Sequence, residues 1–229
     1  MTTMNILLLA TGVVLAYLLG SIPTSVWIGR VFFKKDVRNY GSGNAGATNT
    51  ARTLGWKAGV VVLCIDVLKG ALAVFLSDCF TPDHFIKPQI IHYNVICAIM
   101  AVIGHVYPVF AGFKGGKGVA TLTGIMFALL PWQTGVACIV FAIVLAISGC
   151  VSLGSIITAL CYPFIVAFLP SILAPFMMSL PETFSSLSSV EVSEVIFSVA
   201  IAVFIPITHL KNIKRLLKRE ERKLFGKKK

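Results

Sequence analysis

Two short stretches carry glycines and cations in a pattern that could hold phosphate. Residues 41–49 read GSGNAGATN, followed by Arg52, and residues 113–121 read FKGGKGVAT. In the first, Ser42, Asn44, Thr48 and Asn49 are neutral donors, and the Arg52 guanidinium can meet a phosphate with two parallel bonds. Its glycines permit positive φ, which lets backbone N–H groups turn toward an anion. The second places Lys114, Gly115, Gly116, Lys117 and Gly118 just ahead of an apolar run starting at Val119. Glycines and lysines before a helix N-terminus make an anion site. Two adjacent glycines between lysines exceed what a topology-setting turn needs.

Better-known nucleotide motifs do not account for these stretches. Gly41 to Gly46 satisfies G-x-G-x-x-G, and Asp66 follows at a suggestive distance. That fingerprint has meaning only between a strand and a helix, whereas this one follows an apolar run and the basic stretch KKDVRNY. The second stretch is not a Walker A loop, because Gly118 and not Ser or Thr follows Lys117.

Three further polar groups interrupt apolar sequence. Ser152 and Ser155 lie in VSLGS at 151–155, where a helix-capping role is as good a reading as a chemical one. His209, Asn212 and Arg215 fall at i, i+3 and i+6, within an arc of roughly 120° on a helix. Asp66 and Lys69 stand three apart inside an apolar run. There they are either an internally neutralised pair or a substrate-binding lysine with its counter-ion. Spare carboxylates are scarce, so no Ser–His–Asp set is evident. No metal-ligand spacing appears either, and no cofactor is called for. Six dispersed cysteines without a CxxC pair indicate neither a disulfide framework nor zinc.

The elements that must position these groups are membrane helices. The chain has 229 residues, 57% hydrophobic and 13% charged, with a mean hydropathy of +0.89. Soluble domains sit near ~45–50% apolar and ~25% charged. Long apolar runs cover 5–28, 58–77, 94–111, 134–150, 154–178 and 192–208, with a shorter run at 119–130 before Pro131. A span needs roughly 20 such residues. The start, MTTMN, lacks the basic region of a signal peptide, so the first run reads as a retained helix. If the short run crosses, Arg30, Lys34, Lys35, Arg38, Arg52, Lys57, Lys114, Lys117 and the tail cations from Lys211 to Lys229 share one side. Lys87, Asp78, Asp83, Glu182 and Glu191 then take the other, with Glu194 at its border. By the positive-inside rule this predicts an all-α integral membrane protein with about seven transmembrane helices, N-terminus outside and C-terminus cytoplasmic. Residues 1–229 form a single polytopic domain in this reading, with a basic cytoplasmic tail at 209–229.

Cations and glycine-rich backbone thus gather on the cytoplasmic face, beside lipid. A membrane transporter of a phosphate-bearing anion would explain part of this. It would, however, require cations along a path rather than on one face. No nucleic-acid partner is called for.

The segments GSIPT (20–24), GSGNAGATNTAR (41–52), DVLKG (66–70), GHVYPVFAGFKGGKGVAT (104–121), VSLGS (151–155) and HLKNIKRLL (209–217), in this order, resemble the PlsY-type acyl-phosphate:glycerol-3-phosphate acyltransferases of bacteria. The resemblance spans nearly the whole chain. It implies a multi-pass enzyme of the bacterial cytoplasmic (inner) membrane, its active site facing the cytoplasm. Such an enzyme moves an acyl chain from long-chain acyl-phosphate to the 1-hydroxyl of glycerol 3-phosphate, in phospholipid biosynthesis. The products are lysophosphatidate and inorganic phosphate, and a functional link to the enzyme that makes acyl-phosphate follows. By the same resemblance, Ser42, Arg52, Lys114, Gly115, Gly116, Lys117 and Gly118 bind substrate phosphate, and Ser152, His209 and Asn212 are catalytic; Asn44 as a loop donor and Lys69 as a cation within the apolar run join the phosphate-binding set on their own chemistry. One departure lies in the tail. The family usually has a glycine shortly before a glutamate where this chain reads Lys218-Arg219-Glu220-Glu221, and no catalytic role is assigned to Glu220 or Glu221.

Overall fold

The computed structural model describes residues 2–177 and 190–224, and every regular element among them is a helix. Glu182 and the tail lysines Lys227, Lys228 and Lys229, which entered the charge count above, lie outside the described residues. The chain divides into two compact units, Met1–Leu129 and Leu130–Lys229.

In the first unit, the apolar run expected as one span over 5–28 is two helices. α1 covers Thr3–Gly20 and α2 covers Thr24–Phe33. Pro23 has no N–H to donate and pushes its neighbour out of helical geometry, so the first helix stops ahead of it. α3 (Ala47–Leu54) is a short helix that ends at Gly55, whose φ of 100° no β-carbon-bearing residue adopts easily. α4 (Trp56–Asp78) and α5 (Lys87–Val106) follow, then α6 (Val119–Leu129). α6 has 11 residues and packs hard against α4. A Cβ on Gly70 would run into the Thr121 carbonyl, and one on Gly124 into the Val67 carbonyl. Two small residues thus let the backbones approach as membrane helices do.

The second unit holds α7 (Pro131–Ser148), α8 (Val151–Met177), α9 (Val192–Thr208) and α10 (Leu210–Leu217). α9 and α10 meet at an angle of 63°. Pro206, inside α9, removes one ladder donor just before the break. By length and composition, five helices among the described residues can cross a membrane: Thr3–Gly20, Trp56–Asp78, Lys87–Ala111, Pro131–Ser148 and Val151–Ile172. The bent pair α9–α10, counted as one, makes a sixth. Their surfaces present bare apolar side chains such as Leu7, Phe75, Ile147, Phe164 and Val203. Apolar surface on that scale suits lipid, not water.

Candidate active site

In the first unit α4 begins, α5 ends and α6 begins at the same end of the helices, so the two glycine-rich stretches meet there. Arg38 fastens them together. Its Nη1 donates to the carbonyls of Ala111 (2.8 Å) and Lys114 (3.3 Å), while Nε and Nη2 grip Asp36 at 3.0 and 2.7 Å. Arg30 adds a third guanidinium bond to Asp36 at 2.9 Å. The Arg38 side chain holds the Asp36 carboxyl well below the usual carboxylate range, although burial works the other way. The one carboxylate in the first loop is therefore consumed by structure.

This has a pH signature. A depressed pKa means that Asp36 contributes stability fully above the ordinary carboxylate value, and loses it as pH falls. The Tm gap between the wild type and Asp36→Asn is expected to be constant near neutrality and to narrow below about pH 4. A gap that widens on acidification would contradict the clamp.

Asn49 shapes the first loop from within. It is 1% exposed, accepts from the Ser42 N–H at 2.8 Å, and donates to the carbonyls of Val37 (2.9 Å) and Tyr40 (3.1 Å). Its amide is spent on the turn that presents Ser42, which is exposed, while Asn44 and Arg52 are half-buried. Lys114 is exposed and Lys117 half-buried on the second loop.

The adjacent glycines of that second loop serve proximity more than donation. The N–H groups of Gly115 and Gly116 bond back to the carbonyls of Val106 (3.1 Å) and His105 (3.2 Å). A Cβ on Gly115 would strike the His105 carbonyl, and one on Gly116 would strike the His105 ring and crowd the Ala45 carbonyl.

Lys69 lies inside the helices, 3% exposed. Its Nζ is 2.9 Å from Asp66 Oδ1 and donates to the Ile22 carbonyl at 2.8 Å. This is the internally neutralised pair that the sequence left open beside substrate binding.

The second unit gathers Ser152, Asn212 and Arg215 around a residue that sequence reasoning passed over. Glu221 Oε1 accepts from Ser152 Oγ (2.9 Å) and Asn212 Nδ2 (2.6 Å), and Oε2 accepts from Arg215 Nε (2.7 Å). Its side chain is 4% exposed. Burial pushes the carboxyl up, but the bonds from Arg215, Asn212 and Ser152 outweigh it and leave the group below its ordinary value. Glu221 is thus a buried acid set against a serine, an asparagine and an arginine. Held ionised by a guanidinium, it orients the hydroxyl and the amide and is a poor proton acceptor.

Glu221 arrives there because the chain reverses after α10. The N–H groups of Arg219 and Glu220 bond to the carbonyls of Leu216 (3.0 Å) and Arg215 (2.8 Å), a Schellman cap. Leu224 N–H then bonds the Gly149 carbonyl at 2.6 Å. The cap requires a left-handed residue, and Arg219 supplies it at φ 58°. The turn lies in the stretch Lys218 to Glu221, where the sequence departs from the resembled family. Arg219→Gly is expected to stabilise the protein by about 1 kcal/mol, read as a rise in Tm.

His209 sits at the α9–α10 break, 3% exposed, with Nδ1 2.8 Å from the Ile205 carbonyl. A carbonyl only accepts, so Nδ1 carries a proton and donates to it. Among the described residues, no group of three or more His, Cys, Asp or Glu is placed to hold a metal ion.

Known proteins share this sequence and fold. The family model described as glycerol-3-phosphate acyltransferase matches residues 10–219, through both units. A glycerol-3-phosphate acyltransferase of Chlorobium phaeobacteroides (strain BS1) is 40% identical over 224 residues, covering 91% of this chain and 93% of that one. Crystal structures of PlsY (YgiH), an integral membrane glycerol 3-phosphate acyltransferase, are similar in fold. Its glycerol 3-phosphate form gives a TM-score of 0.75 at 34% identity, covering 95% of this chain and 96% of that one. Its lysophosphatidic acid form gives 0.72 at 33%, covering 95% of each. A match of that extent in sequence, sustained through the fold, makes this chain a member of the glycerol-3-phosphate acyltransferase family.

Proposed function

We propose that this protein transfers an acyl chain from a long-chain acyl-phosphate to the 1-hydroxyl of glycerol 3-phosphate, releasing lysophosphatidate and inorganic phosphate. The observation that carries the reading is the pair of glycine-rich loops joined by Arg38. They bear Ser42, Asn44, Arg52, Lys114 and Lys117, while Asp36 and Asp66 are tied to cations of their own. Such a surface suits phosphate, and both substrates carry one.

Acyl-phosphate is a mixed anhydride, already activated, so no covalent acyl-enzyme is required. The glycerol 1-hydroxyl attacks the acyl carbon, the acyl–phosphate C–O bond breaks, and phosphate leaves with the electron pair. The hydroxyl proton passes to the departing phosphate or to His209. The protein's tasks are positioning and stabilising charge on the leaving group. Arg52, Lys114 and Lys117, with the backbone of Gly118, hold phosphate, and Gly115 and Gly116 shape that backbone. Lys69 supports it from inside the bundle. Ser152, Asn212 and His209 act on the reacting groups, the first two oriented by Glu221.

The same reading makes α6 a short seventh crossing, through thinned bilayer. It sets the N-terminus outside and the active site at the cytoplasmic face of the bacterial inner membrane, as the positive-inside bias favours. An enzyme that makes long-chain acyl-phosphate must feed it.

The test uses purified protein in lipid nanodiscs with glycerol 3-phosphate and either palmitoyl-phosphate or palmitoyl-CoA, following phosphate release and lysophosphatidate. Product from the acyl-phosphate alone is expected. Product from the CoA ester would overturn the donor. No product from either, in folded protein, would overturn the enzyme reading and direct attention to anion uptake in vesicles.

A further inference from the structure

Three ionisable side chains are buried together beneath the second glycine loop. Asp66 is 2% exposed, Lys69 3% and His105 7%. Asp66 Oδ1 accepts from Thr24 Oγ1 (3.0 Å) and pairs with Lys69 Nζ (2.9 Å), and it lies 3.8 Å from His105 Nδ1. Thr121 Oγ1, on α6, is 3.0 Å from the same ring nitrogen. Burying such a set is costly, and well-packed apolar residues of similar volume often do as well for stability. What charge and hydrogen bonding add is a fixed direction for each partner.

The bonds of the set join three helices around His105, which touches the loop. Lys69 ties the α1–α2 break through the Ile22 carbonyl. Thr121 bonds the imidazole from α6, and Asp66 of α4 lies beside it. The imidazole then fills the space where Gly116 has no side chain, and the His105 carbonyl takes the Gly116 N–H at 3.2 Å. Gly116 is therefore held from two directions by one residue. Its own lack of a Cβ is what lets the ring sit there.

We infer that His105 is a positioning residue, bonded to Thr121 and packed beside Asp66, that holds the Gly115–Gly118 backbone in its phosphate-accepting form. This rests on the proposed reaction. Glycerol 3-phosphate has no lipid tail to bind by, so a loosened loop weighs on its KM more than on that of the acyl-phosphate.

Wild type, His105→Ala, His105→Asn and Thr121→Val are compared in nanodiscs with palmitoyl-phosphate and glycerol 3-phosphate, with Tm recorded for each. His105→Ala is expected to raise the KM for glycerol 3-phosphate about tenfold, with kcat and the KM for palmitoyl-phosphate within about threefold of wild type. His105→Asn, which keeps a polar partner for Thr121, should recover much of the loss. Thr121→Val, which keeps the ring but removes its hydroxyl partner, should raise the same KM about threefold. A fall in kcat with unchanged KM, or an Asn variant no better than Ala, overturns the inference. Should His105→Ala fail to fold, an unshifted KM in both His105→Asn and Thr121→Val overturns it equally. A wild type inactive on both substrates would overturn the reaction itself and the loop's assignment with it. An active wild type with unshifted variants overturns only the role of His105.

Discussion

Replacing Arg52 by alanine is expected to lower kcat/KM for acyl transfer about 10²–10³-fold while leaving the helices folded. The two halves of that expectation come from different parts of α3. The helix is held by Asn49, by the Thr50 hydroxyl bond to the Gly46 carbonyl, and by close packing of Ala51 on Gly59. Substitution at position 52 touches none of these contacts. The guanidinium itself, half-buried in the last turn, is the group on this helix able to make two parallel bonds to a phosphate. Charge that builds on a leaving phosphate is stabilised most by donors already in place. Arg52→Lys keeps the charge and loses the fork, so an intermediate loss is expected. The check is kcat/KM for each variant with Tm alongside. Near-normal turnover by Arg52→Ala would remove Arg52 from the phosphate site.

Glu221→Ala is expected to damage both activity and stability. Three donors, from Ser152, Asn212 and Arg215, converge on its carboxylate, and removing it leaves them to find other partners in a mostly buried setting. A cost of about 2 kcal/mol in stability is expected from the stranded donors. A loss of about 10²-fold in kcat/KM should accompany it as Ser152 and Asn212 lose their orientation. Glu221→Gln retains an acceptor for Ser152 and Asn212 but sets an amide against Arg215, so its losses should be smaller. Thermal melts and kinetics of the two variants decide the matter. An alanine variant with wild-type Tm and turnover would show that the network organises nothing.

Much of the architecture was legible because membrane helices announce themselves locally. Runs of apolar residues near α4, α5, α7 and α9 need no partner to be recognised, since lipid forces every backbone group to be satisfied within the helix. The glycine–lysine stretch ahead of α6 was legible for the same reason, as its residue types are unusual over a very short span. The first run was less transparent. Apolar composition continues through Ile28, but Pro23 stops the helix at Gly20, and hydropathy is blind to that. The tail was less transparent too: Arg219 adopts a left-handed turn, and the reversal brings Glu221 onto Ser152 and Asn212. Its signal lay in a glutamate six residues beyond Arg215, visible only once the reversal is known.

The sequence by itself determined the solvent of the protein, the kind of ligand and the family: apolar runs, paired glycine loops with cations, and ordered motifs are all read along the chain. Only the tertiary structure decided which partners within the fold each polar group takes. Asn49, Asp36 and Lys69 have the chemistry of binding residues, yet their partners are Val37 and Tyr40, Arg38, and Asp66 with Ile22. His105 and Glu221 gain their importance from contacts with Gly116 and Ser152. A side chain's partners are set by packing between segments remote in sequence, and no spacing along the chain encodes that distance.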